Sequence, residues 1–272
     1  MTMTAARIIY CAFLIPLLAL AQPQTQTSSI GMEFVLVQAG SFSMGMFQPQ
    51  CAAVGAQDNV TEAQYQECMK MAKAATRTGF KAVIAKPFYI GKYEVTQEQY
   101  QKVMGTNPSY HTQSVVTSAT DKYPVDSVTW ADAQAFLKKL NAMEKGKAYR
   151  LPTEVEWEYA ARAGTDGETQ GGKIQDLAWF MSNAAYVTHP VGQKQPNAWG
   201  LHDMLGNVWE WVQDYYDNDI LPKGPKGPAK GAAHVLKGGG FQAHSKNVRV
   251  VVHAGGPGSV ISTGFRLVME AQ

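Results

Sequence analysis

Cysteine is scarce in this chain. Its 272 residues include three, Cys11, Cys51 and Cys68, and none after position 68. That count excludes a disulfide-dense scaffold and a four-cysteine zinc or iron–sulfur module. Charge is sparse as well: Asp, Glu, Lys and Arg make up 17% of the residues, and the formal net charge is +2. The only basic concentration, Lys223 to Lys230, is interrupted by Pro and Gly and reads as a solvated loop, not a nucleic-acid patch. The six histidines contain no H-x-H or i,i+4 pair, so a zinc or iron site would have to be assembled from distant parts. Gly-x-Ser-x-Gly is missing, and Lys237-Gly-Gly-Gly240 lacks the lysine–hydroxyl pair and following helix of a phosphate loop. No internal repeat or linker divides the chain.

The only long apolar run is Ile8 to Leu20. With Arg7 before it and Ala19-Leu20-Ala21 after it, residues 1–21 read as a signal peptide, too short to span a bilayer comfortably. The expected protein is exported, periplasmic or secreted, without a transmembrane segment in the mature chain. Export leaves Cys51 and Cys68, which in an oxidising compartment most simply form a disulfide. Such a bridge would contribute about 3 kcal/mol in the chain-entropy model. A redox-active or metal-binding pair is the competing reading, and no His or acid cluster flanks either cysteine.

Hydrophobic residues are 45% of the chain, enough for a substantial core. Residues 22–30 are polar and read as a flexible tail, and 46–85 as an insertion with a helix opened by Thr61 and Gln64. Strands are expected at Met32–Val37, Phe88–Tyr93, His234–Leu236, Val248–Val252 and Gly264–Met269. Helices are expected from Thr96 to Gly105, over Thr129–Asn141, and from Thr153 to Gly164. Thr96 with Gln99, and Thr153 with Glu156, have capping-box spacing. Few helices and many irregular turns point to one compact α+β domain over 31–270.

Six segments then carry a resemblance: GMEFVLVQAGSFSMG (31–45), KPFYIGKYEVTQEQY (86–100), YPVDSVTWADAQAF (123–136), YRLPTEVEWEYAARAG (149–164), HPVGQKQPNAWGLHDMLGNVWEWVQDYY (189–216) and HVLKGGGF with TGFRLV (234–268). In this order they resemble the formylglycine-generating-enzyme, or sulfatase-modifying-factor, family. The resemblance implies a single irregular domain of the C-type-lectin-like kind. It also implies an oxidase centre of a serine and two copper-binding cysteines, and at those positions this chain has Gly240, Ala243 and Val248. Copper is therefore not expected. The family's structural calcium would fall on the side chains of Asp203 and Glu210 and the carbonyls of Gly206 and Val208. Oxygen donors of this kind suit calcium, while the competing reading of the residues is a capped turn with local hydrogen bonds. The family's second calcium loop has no counterpart before His189.

Trp209 matches a tryptophan bordering the family's substrate groove, and His244 adjoins a lost cysteine position. Arg249 and Arg266 either join buried hydrogen-bond networks or meet an anionic ligand. Two functional expectations follow. One is an accessory or regulatory protein of the cell envelope, binding a peptide or protein at Trp209, His244 and Arg249; cysteine-less relatives include accessory proteins of type VI secretion. The other is a cysteine-independent oxidoreductase maturing a small molecule or peptide. A structural lectin-like module is a third.

Overall fold

A computed structural model describes residues 24–46, 61–75, 79–217, 227–256 and 261–271. The expected signal peptide and Cys51 lie outside these residues, as does the side chain of Cys68. In chain order the elements are β1 (Thr25–Thr27), β2 (Glu33–Val37), β3 (Gly40–Met44), α1 (Glu62–Ala75), β4 (Phe80–Ile84), β5 (Phe88–Gly91), α2 (Gln97–Met104) and α3 (Gln113–Val116). Then follow α4 (Trp130–Met143), β6 (Tyr149–Arg150), α5 (Glu154–Arg162), α6 (Ile174–Leu177), β7 (Trp209–Tyr215) and β8 (His234–Lys237). A short 3-10 turn at Ser245–Asn247 leads to β9 (His253–Gly256), β10 (Thr263–Gly264) and β11 (Val268–Glu270).

The strands form a five-stranded sheet ordered β1-β2-β5-β11-β6, a four-stranded sheet ordered β10-β7-β8-β9, and the β3–β4 hairpin. In the first sheet the two-residue period of the strands feeds two cores. Phe34, Leu267 and Met269 enter one with Tyr100, Phe136, Leu137 and Leu140 from α2 and α4. Val35, Val37, Ile90 and Val268 enter the other with Trp157, Ala160 and Ala161 of α5. Because β11 lies between β5 and β6, the C-terminal strand locks segments remote in sequence. The fold is the single mixed domain expected.

Local chemistry sets the helix ends. Thr96, Thr129 and Thr153 each cap a helix in a complete capping box, answered by Gln99, Asp132 and Glu156. Thr61 and Gln64 make the same reciprocal contacts before α1. Helix α2 ends at Gly105 in the left-handed conformation, as expected, whereas α5 ends one residue early with Ala163 in that conformation.

Two expectations need correction and one an addition. Residues 25–27 are not tail but an edge strand, paired antiparallel with Glu33–Val35. The 46–85 segment holds a strand besides its expected helix, since Phe80–Ile84 pairs with Gly40–Met44 along its whole length. Val248–Val252 is not a strand: the 3-10 turn enters it, and the strand begins at His253. Val248 and Val250 are buried in the second core despite their β propensity.

Candidate functional site

The segment 201–212 is shaped by backbone that side chains rarely adopt. Asp203, Gly206 and Asn207 all have positive φ, at 52°, 80° and 56°. Such residues cost energy and persist where surrounding structure over-determines them. Here Asn207 is the tie. Its Oδ1 accepts from the His189 N–H, and its Nδ2 donates to Glu94 Oε2 at 2.7 Å and to the His189 carbonyl. The next N–H, of Val208, donates to Glu94 Oε1.

Arg266 enters this loop from between β10 and β11. Its guanidinium donates to both oxygens of Glu210, with the shortest contact at 2.6 Å. It also donates to the carbonyls of Gly91, His202 and Asp203. Trp157 Nε1 donates to Glu210 Oε2. Arg266 and Glu210 are fully buried, and Glu94 and Asp203 nearly so. The guanidinium is bonded to one carboxyl group, Glu210, and those of Glu94 and Asp203 lie in its field. Burial, then the charges of Asp203 and Glu210, push Glu94 well above the usual carboxylate range against the pull of Arg266. Burial also raises Asp203 to about 6, opposed by the Gly192 N–H and Arg266 and reinforced by Glu210.

This arrangement tests the expected calcium ligands. Asp203 fits: Oδ2 accepts from Gly192, while the buried Oδ1 has no hydrogen-bond partner. The surplus of carboxylates over cations also fits a divalent ion. Glu210 does not fit as an open ligand, because Arg266 and Trp157 occupy both its oxygens. Among the described residues, no group of three or more His, Cys, Asp or Glu is arranged to hold a metal.

Strand β8 leads into the second half of the site. Lys237 is fully buried between Glu154 Oε1 and Glu158 Oε2, at 3.3 and 3.4 Å, and lies over the Trp157 ring. Burial pushes Glu154 up, but Lys237 and His253 together outweigh it and hold the group below its ordinary value. Gly238 and Gly239 then turn with φ of 88° and 79°. A Cβ on Gly239 would stand 2.9 Å from the Asn247 carbonyl and 3.1 Å from Val248 Cγ2, so glycine permits the 245–248 turn to approach.

The positions expected to have lost oxidase side chains cluster here. Gly240 lies against the Trp209 indole, where an added Cβ would be 3.1 Å from Cδ1. Ala243 and Val248 meet in the second core, Val248 fully buried. The Ala243 carbonyl accepts from Met181 N–H. Gly240, Ala243 and Val248 themselves carry no thiol, the group that would bind copper as thiolate.

The expected ligand-binding residues are placed unequally. Trp209 is half-buried beside Gly240, and His244 is exposed on the turn that follows. Arg249 instead bridges to Glu168 at 3.1 Å, which draws it toward the 165–172 loop. Arg266 proves to be a network residue. The tryptophan expected in the core, Trp211, is 1% exposed, and its Nε1 donates to the Val128 carbonyl.

Sequence reasoning missed two pairs. His111 is buried with Nδ1 2.9 Å from Asp126 Oδ2, and its ring meets Phe241 edge-on at 4.8 Å. Trp179 stacks on His189 at 3.8 Å, with Lys194 over the indole at 3.9 Å. Neither histidine has a partner at helical spacing, so only the fold brings them near the glycine segment.

The sulfatase-modifying factor enzyme 1-like domain matches residues 19–271, which include all of the described structure. The chain belongs to this family. It is similar to the chaperone protein LppX of Paenibacillus barcinonensis, with 31% identity over 214 residues, 59% of this chain and 71% of that protein. The formylglycine-generating enzyme of Streptomyces coelicolor is 37% identical over 142 residues, 45% of this chain and 43% of the enzyme. Serine/threonine-protein kinase pkn1 of Chlamydia pneumoniae is 38% identical over 162 residues, of which the match covers only 25% of the kinase. The chain thus spans less than half of the latter two relatives. Treponema denticola variable protein 1 superposes with a TM-score of 0.71 at 27% identity, covering 91% of this chain and 99% of that one. PvdO from Pseudomonas aeruginosa shares the fold, with a TM-score of 0.70 at 24% identity over 92% of this chain and 99% of the other.

Proposed function

We propose that this family member is an exported accessory protein that binds a polypeptide beside Trp209 and Gly240, without copper-dependent cysteine oxidation. The reading rests on the expected replacement of the family's reaction centre by Gly240, Ala243 and Val248, and the observation that supports it is that Val248 is fully buried in an apolar cluster. The surrounding scaffold is intact: the Arg266–Glu210–Trp157 network and the glycine turn both remain. A half-buried Trp next to bare backbone offers a large apolar face with little side-chain entropy to lose on binding. A periplasmic or secreted location agrees with the apolar leader. No helix among the described residues is long and apolar enough to cross a membrane.

The test is affinity capture from the native envelope with the tagged chain and with Trp209→Ala/His244→Ala. A polypeptide retained by the wild type and lost by the double variant, with unchanged circular dichroism, is the expected result. Capture unaffected by the substitutions would count against the groove. Oxidative turnover of a small molecule with no captured polypeptide would favour the enzymatic reading.

Calcium belongs to the same proposal as a stabiliser, held by Asp203 with the Gly206 and Val208 carbonyls. Bound to the folded state alone, at about a hundred times its dissociation constant, it would add roughly 2.7 kcal/mol. For a chain of this length that corresponds to a rise in Tm of roughly 5–10 °C. The rise should be largest above pH 6, where Asp203 is ionised, and shrink below it as a proton takes the site. Asp203→Ala should abolish it. Identical melting curves with calcium and with chelator at pH 7.5 would remove calcium from the account.

A further inference from the structure

A second cleft lies away from the Trp209 groove, where the β3–β4 hairpin meets the start of α5. Its volume is about 530 Å³, within the range of specific ligand sites. Lys81, Val83, Lys86, Arg150, Val155 and Glu156 are among its walls. The charges there are unbalanced in a specific way. Arg150 is neutralised by Glu156, at 2.6 and 2.7 Å, and by Glu270, at 2.6 Å. Lys81 and Lys86 are exposed, and neither ammonium has a hydrogen bond or ion pair among the described residues. With three cations against two carboxylates the cleft keeps a net charge of one positive, and both lysine ammoniums stand without a partner among the described residues.

Strand β4 supplies the shape. Ala82 and Ile84 point into the protein, while Lys81, Val83 and Ala85 alternate outward, and Val83 is 62% exposed. Among the described residues β4 pairs with β3 alone, and its other edge has no strand beside it. An open edge with an outward valine is a template for another strand. The two-residue repeat of Lys81 and Val83 matches the repeat of an extended peptide, not that of a compact small molecule.

We propose that this cleft binds an extended, acidic and partly apolar polypeptide segment by strand addition along β4. A carboxylate of the segment would stand across from Lys81, a second would meet Lys86, and an apolar side chain would cover Val83. Opposite charges facing across strands attract and like charges repel, so the lysines reject basic segments as well as recruit acidic ones. A second copy of this chain docked edge to edge would bring the same lysines together, which disfavours self-association.

The probe is fluorescein-labelled Thr-Glu-Thr-Val-Thr-Glu, acetylated and amidated at its ends, in which Glu, Val and Glu share one face and fall opposite Lys81, Val83 and the approach to Lys86, followed by anisotropy. The full chain should bind it saturably. Replacing both glutamates by glutamine, or using Lys81→Glu/Lys86→Glu, should weaken binding by about tenfold or more. Trp209→Ala should leave it unchanged, which separates this site from the groove proposed above. Amide exchange across residues 80–86 should slow on binding, a readout that loose charge attraction would not produce. Both lysines are exposed, so an unaltered melting curve will establish that the double variant folds. The proposal is overturned by any of four results. These are no saturation by about 1 mM peptide, equal binding of the glutamine peptide, retained binding in the charge-reversed variant, or protection that appears elsewhere than β4. Concentration-dependent dimerisation blocked by the peptide would also overturn it, by making a second copy the occupant.

Discussion

Arg266→Leu should cost this protein about 3–5 kcal/mol, the penalty for breaking a buried ion pair by removing one partner. A domain of ordinary stability has about 5–15 kcal/mol in all, so the variant will be marginal or will fail to accumulate. The reason is the arithmetic of the site. Arg266 is the guanidinium that faces Glu210, with Glu94 and Asp203 also within its field. Leucine leaves those carboxylates in a medium that cannot solvate them, and also strips donors from the Gly91, His202 and Asp203 carbonyls. Arg266→Lys keeps the charge but not the planar fork that reaches Glu210 and these carbonyls together, so it should fall between the two. Urea denaturation measures the series. A loss below about 1 kcal/mol for Arg266→Leu, the size of a neutral hydrogen bond, would mean that the network contributes little.

Gly206→Ala should be as damaging through sterics alone. The residue has φ of 80°, where an L side chain is strained by roughly 1–2 kcal/mol. Its Cβ would overlap the Trp179 carbonyl oxygen and stand 2.8 Å from the Trp179 nitrogen and 2.9 Å from the carbonyl carbon. These are backbone atoms with no rotamer to change. They are also tied to the loop by the Asn207 N–H, which donates to the Trp179 carbonyl. Relief therefore requires moving the segment that positions Asp203 and Asn207. A loss above about 4 kcal/mol, or no folded protein, is expected. Gly31→Ala is the control: its φ is similar, 83°, but an added Cβ meets nothing within 4 Å. It should cost only the backbone strain, about 1–2 kcal/mol. Equal effects at the two glycines would show that loop 201–212 yields freely.

Much of this scaffold was legible because its signals are local. The capping boxes at Thr96 and Thr153 follow from two residues three apart, and the apolar face of α4 from helical spacing. β1 was not legible: Thr25–Thr27 is exposed on every side chain, so hydrophobic patterning offers no sign of it. It exists because its backbone pairs with β2. Val248–Val252 misled in the opposite sense, being β-branched but folded into a turn that Gly239 allows close approach.

The site shows the same division. That Gly240, Ala243 and Val248 cannot form a copper–thiolate centre is visible in the letters. That Glu210 is already held by Arg266 and Trp157 is not, since their partners lie 56 and 53 residues away. Capping accounts for Glu156 but only part of Glu154, whose carboxylate turns inward to Lys237 and His253. A buried lysine between two glutamates leaves no periodicity to read. It becomes apparent only when β8 is laid beside α5.

The measurement that bears most directly on the central claim is a turnover assay with a cysteine-containing sulfatase-type peptide. The copper-supplemented protein is incubated with the peptide in air, and the peptide is then weighed by mass spectrometry. With Ala243 and Val248 in place of thiols, the peptide should be recovered with its cysteine unmodified, even at stoichiometric protein. Conversion of that cysteine to an aldehyde by the wild-type chain would contradict the account.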